Sequence, residues 1–132
     1  MTYELMDSFV NTIVKKDFNE IAQDVSEKDK GLVFKAQHIL EKSIFEKFPT
    51  IELLAKNVGV SETKLKADFK KIHGTTIFQF YSMKQMLYAK EILKRDDISI
   101  KEIAITLGYA NPGKFSQAFK KFHGVLPSEF IA

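Results

Sequence analysis

IKEIAITLGYANPGKFSQAFKKFHG, residues 100–124, reads as a short amphipathic helix, a tight turn and a second amphipathic helix. Ile100, Ile103, Ala104 and Leu107 recur at helical spacing. Gly108 follows where the chain needs a left-handed residue, and Asn111 with Pro112 supplies the cap and first-turn residue of the next helix. Phe115, Ala118, Phe119 and Phe122 then form its inward stripe. The pattern occurs once before, in IELLAKNVGVSETKLKADFKKIHG, residues 51–74. Ile51, Leu54, Ala55, Val58 and Gly59 match Ile100, Ile103, Ala104, Leu107 and Gly108 at an offset of 49, whereas FKKIHG at 69–74 matches FKKFHG at 119–124 at an offset of 50. One residue has therefore entered the turn of the second copy. Each copy predicts a helix-turn-helix unit, the first over about 51–72 and the second over about 100–123, with the small Ala55 and Ala104 where the paired helices cross closely.

Between the copies, residues 75–95 predict one further helix, with Phe80, Leu87 and Ile92 available to cores on either side. Its span of about 30 Å at 1.5 Å per residue comes close to the roughly 34–36 Å between successive major-groove faces on one side of B-DNA. Upstream, Ala36, Ile39, Leu40 and Ile44 predict a helix over 32–47 stopped by Pro49, after which Thr50 caps the first repeat. Ser26 to Gly31 reads as a polar break, and Leu5, Phe9, Ile13 and Val14 predict a short helix before it. No stretch alternates with period two, so the expected fold class is all-α: two helix-turn-helix subdomains joined by a long connecting helix. Residues 1–32 are expected to be a helical extension or linker, and 33–132 the functional domain.

The 132 residues are 45% hydrophobic with twelve Phe, enough for one compact domain and too few for most large catalytic scaffolds. Cysteine is absent, which excludes a disulfide framework and a thiolate nucleophile. No membrane-length apolar run and no signal-peptide pattern occur, so a cytoplasmic protein is expected. A phosphate loop, a Gly-x-Ser-x-Gly elbow and an isolated nucleophile beside a base are all missing; the chain is not expected to be an enzyme, and no cofactor is expected. His73 and His123 are equivalent in the repeat, but no Cys or carboxylate recurs beside both, so no metal is expected there. Their place in the last helical turn suggests that the helix dipole favours a positive charge.

Charge is unevenly spread. Residues 1–63 carry 8 Lys against 11 acids, a balance of −3, while residues 64–95 carry 8 Lys or Arg against Asp68 and Glu91, a balance of +6. Such a local positive field suits a polyanion, because each phosphate neutralised releases condensed counterions.

The two units with FKK…HG endings, the connecting helix and the terminal PSEF resemble the AraC/XylS transcription regulators over residues 33–131. Residues 100–130 carry the densest match, with Ala104, Gly108, Tyr109, Phe115, Phe119, Lys120, Gly124 and Pro127 in place. The resemblance implies a homeodomain-like, bacterial DNA-binding domain whose units each place their second helix in the major groove. It also implies that the chain is a fragment of a longer regulator. Three departures stand out: Gln85 replaces an Arg usual four residues before the alanine that is here Ala89, Ile131 replaces a closing Arg, and the second reading helix opens with Pro112, Gly113 and Lys114.

With Leu65, Phe69 and Ile72 inward, the first reading helix presents Thr63, Lys66, Ala67 and Lys70, and the second presents Gly113, Lys114, Gln117 and Lys121. An amide such as Gln117 can pair bidentately with adenine, and Lys66 and Lys114 can donate to guanine or phosphate. Lys70, Lys71 and Lys120 are expected at phosphates, which set position without carrying sequence information. Expected partners are double-stranded DNA, RNA polymerase and, through an N-terminal or absent region, a second copy; no membrane is expected. The competing reading is a protein–protein interaction module on the same fold, using an apolar stripe of Tyr3, Leu5, Phe9, Ile13 and Val14.

Overall fold

The computed structural model describes residues 25–95 and 97–132. Among them the chain forms seven helices: α1 (Glu27–Lys42), α2 (Ile51–Val58), α3 (Glu62–His73), α4 (Ile77–Arg95), α5 (Ile100–Thr106), α6 (Pro112–His123) and α7 (Pro127–Ile131). The short helix expected around Leu5 to Val14 lies outside the described residues.

Helix boundaries follow from capping chemistry. Thr50, Ser61, Ser99 and Asn111 each accept a hydrogen bond from a backbone N–H three residues ahead, satisfying one of the orphan donors that open every helix. At Ser99 the bond is reciprocal, because Glu102 accepts in turn from the Ser99 N–H. Thr76 and Gln79 make the same exchange at the start of α4.

The two helix-turn-helix turns close alike. Gly59 and Gly108 have φ of 82° and 83°, and in each the following N–H, of Val60 or Tyr109, reaches back 3.0 Å to the carbonyl of Ala55 or Ala104. That bond fixes the exit direction of the first helix, and only a residue without Cβ adopts the left-handed step cheaply.

Two expectations for the first helix are corrected. The polar segment 26–31 opens α1 instead of breaking the chain: Ser26 caps Asp29, Glu27 and Asp29 suit the positive end of the dipole, and Lys30 pairs with Glu27 at 3.1 Å. At its other end α1 stops at Lys42, well before Pro49. There the Ser43 hydroxyl donates to Ile39 O at 2.8 Å, competing with the backbone ladder. Beyond it, the carbonyls of Ser43, Ile44 and Glu46 are taken by side chains of α4. The terminal PSEF forms α7, whose Pro127 is buried and whose Phe130 packs 5.9 Å from the Phe119 ring.

Two hydrophobic cores result, and α4 belongs to both. Leu40, Leu54, Leu65, Phe69 and Ile72 fill the first together with Ile77, Phe80 and Tyr81 from the N-terminal half of α4. Ile103, Ala104, Phe115 and Phe119 fill the second together with Met86, Ala89, Ile92 and Leu93 from its C-terminal half. Phe80 and Ile92 thus serve one core each, while Leu87 stays half-buried outside both.

The two equivalent histidines are half-buried against residues of α4, and this burial outweighs the dipole argument for a positive charge. His73 lies 4.5 Å from the Phe69 ring and 5.0 Å from that of Phe80, and its Nε2 is buried without a partner. Burial, aided by the nearby Lys84, lowers its pKa from 6.5 to about 4. His123 Nε2 donates to Met86 O at 2.9 Å, and burial holds this imidazole below its ordinary value as well.

Two consequences are measurable. A Cβ built at Gly59 meets nothing within 4 Å, so Gly59→Ala is penalised by backbone conformation alone. It should cost about 1–2 kcal/mol in urea unfolding, and Gly59→Asn should cost less. Because His73 is neutral when folded and protonates near pH 6.5 when unfolded, its stabilising contribution is whole above pH 6.5 and lost as pH falls from there toward 4. Unfolding midpoints measured between pH 7.5 and 4.5 should fall with pH, and His73→Phe should flatten that slope.

Candidate nucleic-acid interface

Packing decides which faces of α3 and α6 remain free. In α3, Leu65, Phe69 and Ile72 are buried against the first core, which leaves Thr63, Lys66, Ala67, Lys70 and Lys71 exposed. In α6, Phe115 and Phe119 are buried and Ala118 and Phe122 half-buried, which leaves Gly113, Lys114, Gln117, Lys120 and Lys121 exposed. Every residue expected to meet DNA therefore lies on a solvent-facing part of one of these helices.

Electrostatics separates the lysines. Among the described residues, Lys66, Lys70, Lys71, Lys114, Lys120 and Lys121 have no carboxylate at ion-pair distance. Lys64 differs. Its ammonium sits 3.0 Å from Asp29 on α1 and 3.2 Å from Asp68 one turn along α3. The hydrogen bond that Lys64 donates to Asp29 raises the Lys64 pKa and lowers that of Asp29. Lys64 thus ties the start of α3 to α1, whereas its repeat equivalent, Lys114, stays unpaired among the described residues. Sequence spacing could not reveal this, because Asp29 is distant along the chain.

Backbone geometry also distinguishes the two helices. Where α3 has Thr63, α6 has Gly113, and a Cβ there would come within 3.2 Å of the Asn111 Oδ1 that caps the helix. A glycine keeps the cap compact and leaves the opening turn of α6 without a side chain at that point.

Between the two units lies a groove of about 500 Å³, lined in part by Phe45, Phe48, Phe78, Tyr81, Ile105 and Tyr109. Its rim exposes Phe45, Phe78 and Ile105, the last at 64%. Gln85 forms part of its floor and is itself 4% exposed. The Gln85 Nε2, with two N–H donors, lies 2.9 Å from Ile44 O, 3.0 Å from Leu107 O and 3.1 Å from the Tyr81 hydroxyl, so three acceptors share its two protons. Tyr81 passes the connection on, donating to Glu46 O at 2.6 Å. The departure from Arg at this position is therefore an internal brace, turned away from solvent. Ile131, a second departure, is half exposed at the end of α7.

Two helix-turn-helix units on one connecting helix, each with the outer face of its second helix free, define a double helix-turn-helix DNA-binding domain. A sequence family described as a helix-turn-helix domain matches residues 54–132. The chain belongs to the AraC/XylS family of transcription regulators.

Among its relatives, the probable transcription factor PqrA of Proteus vulgaris is 30% identical over 80 residues, covering 61% of this chain and 66% of its own length. AdaA of Bacillus subtilis, a bifunctional transcriptional activator and DNA repair enzyme, is 34% identical over 91 residues, 69% of this chain and 43% of its own. The chain thus spans under two thirds of the length of these relatives. The C-terminal domain of AraT, a response regulator from Geobacillus stearothermophilus, superposes with a TM-score of 0.71 at 30% identity over 76% of this chain and 83% of its own. The DNA-binding domain of AdpA, solved with a target DNA, shares the fold at a TM-score of 0.69 and 21% identity, over 75% of this chain and 88% of its own.

Proposed function

We propose that the chain binds double-stranded DNA sequence-specifically as a bacterial, cytoplasmic AraC-type regulator, with residues 33–132 as the binding unit and α3 and α6 in successive major grooves. The observation that carries the reading is the pairing of two equivalent helices, each with an unpaired basic and polar outer face, on one 19-residue helix. At 1.5 Å per residue α4 spans about 28 Å, close to one groove repeat. AdpA, which shares this fold, was crystallised on DNA.

Roles divide by chemistry. Gln117 reads a base edge, adenine fitting its amide best, and Lys66 and Lys114 donate to guanine or phosphate. Thr63, Ala67 and Gly113 let the helices approach the groove closely, Lys121 lies on the reading face of α6, and Lys70, Lys71 and Lys120 hold phosphates. The activity is binding without catalysis.

The groove supports a second contact. Exposed Phe45, Phe78 and Ile105 make an apolar patch on a surface otherwise free to meet a protein, and RNA polymerase is the partner this reading assigns to it. A second copy would associate through a region before α1.

Selection from a random duplex pool should enrich a two-part motif with elements about one helical turn apart. Gln117→Ala should relax preference at one position by about tenfold, and Lys70→Ala should weaken all sequences alike while lowering the salt slope by about 1. Equal behaviour of the two variants across the selected library would overturn the division of roles. Retention of full DNA affinity by Lys66→Ala combined with Gln117→Ala, with the fold intact, would leave the protein-interaction reading. For the groove, Phe78→Ser should keep operator affinity within about twofold yet reduce polymerase recruitment in a purified transcription assay.

A further inference from the structure

The two cores share one helix, and the change from one to the other falls between Tyr81, in the first, and Met86, in the second. Gln85 stands at that junction. Its amide donates at once to Ile44 O, in the segment that joins α1 to α2, and to Leu107 O, in the residue that caps α5 and leads into the turn before α6. Tyr81, one helical turn earlier, accepts from the same amide and donates to Glu46 O, and Phe45 packs edge-on against Tyr88 at 4.6 Å. Cross-links other than α4 itself are concentrated here: helix α4 sets the distance between the units, and this brace sets their rotation about it.

Resting on the DNA-binding reading above, we propose that Gln85 is a positioning residue that fixes the relative setting of the two reading helices, so that the protein accepts its two half-sites at a single separation. One base pair added between half-sites moves the second by about 3.4 Å along the duplex and about 35° around it. A domain braced at Gln85 cannot follow that rotation without breaking the bonds to Ile44 and Leu107. A domain without the brace follows it by bending at the junction. The groove beside Gln85 matters for the test, because water entering it can solvate the carbonyls of Ile44 and Leu107 once the amide is gone. Loss of the brace therefore loosens the joint without opening either core.

The experiment uses the full chain and the selected two-part duplex, its spacer shortened or lengthened by one base pair, together with single half-site duplexes. Wild type should lose about tenfold or more in affinity on either spacer change. Gln85→Met, similar in volume but lacking the donors, should narrow that difference to about threefold while single half-site affinity stays within about twofold. Gln85→Arg, which keeps donors in reach of the carbonyls, should retain the wild-type preference. Tyr81→Phe, which keeps the ring and removes the hydroxyl, should narrow it in part. Uniform weakening by Gln85→Met on all spacers, with discrimination intact, overturns the proposal. Should circular dichroism show Gln85→Met unfolded, undiminished discrimination by Tyr81→Phe overturns it instead. Absence of any two-part motif for the wild type would bring down the functional reading itself, an outcome visible in the selection before any variant is made.

Discussion

The two helical cores share α4, and the hydrogen bonds of Gln85 join them a second time. A carboxamide that is 4% exposed has lost its hydration, so its donors must find acceptors within the protein, and the acceptors it finds belong to different units. The same bonds satisfy the carbonyls left without helical partners where α1 stops at Lys42 and at Leu107, the cap of α5. The early end of α1, the course of residues 43–48 across α4 and the placement of the second turn are thus parts of one solution to one problem of unsatisfied backbone.

Much of the architecture is legible from local pattern. The repeat predicts both helix-turn-helix units, and Thr50, Ser61, Ser99 and Asn111 mark helix starts because capping is a short-range interaction between residues three apart. Inward stripes such as Leu65, Phe69 and Ile72 identify the outer faces of α3 and α6 by elimination. The polar run 26–31 looks like a break because its helix signal is capping and charge, Ser26 on Asp29 and Lys30 with Glu27, with few apolar residues. Other misreadings are decided at longer range: the end of α1 depends on Tyr81 and Gln85, nearly forty residues away. The histidines mislead for the same reason: the dipole argument concerns one helix, while their state is set by aromatic rings and carbonyls from another.

The two copies have diverged where they meet the rest of the chain. Lys64 pairs with Asp29 of α1 and with Asp68, whereas Lys114 has no carboxylate at ion-pair distance among the described residues. His73 packs among rings with its Nε2 unpaired, whereas His123 donates to Met86 O. Equivalent positions therefore carry different contacts in the two units.

The extra residue in the second turn shows how such a pair can change over time. Gly59 and Gly108 end their helices with the same backbone bond, and Ser61 and Asn111 begin the next helices with the same kind of cap, yet the turns between differ in length by one residue. Because each end of the turn is anchored by its own local chemistry, its length is uncoupled from the packing on both sides. Insertion or deletion there offers evolution a way to re-aim one recognition surface while the other, and the interior beneath both, stays as it was.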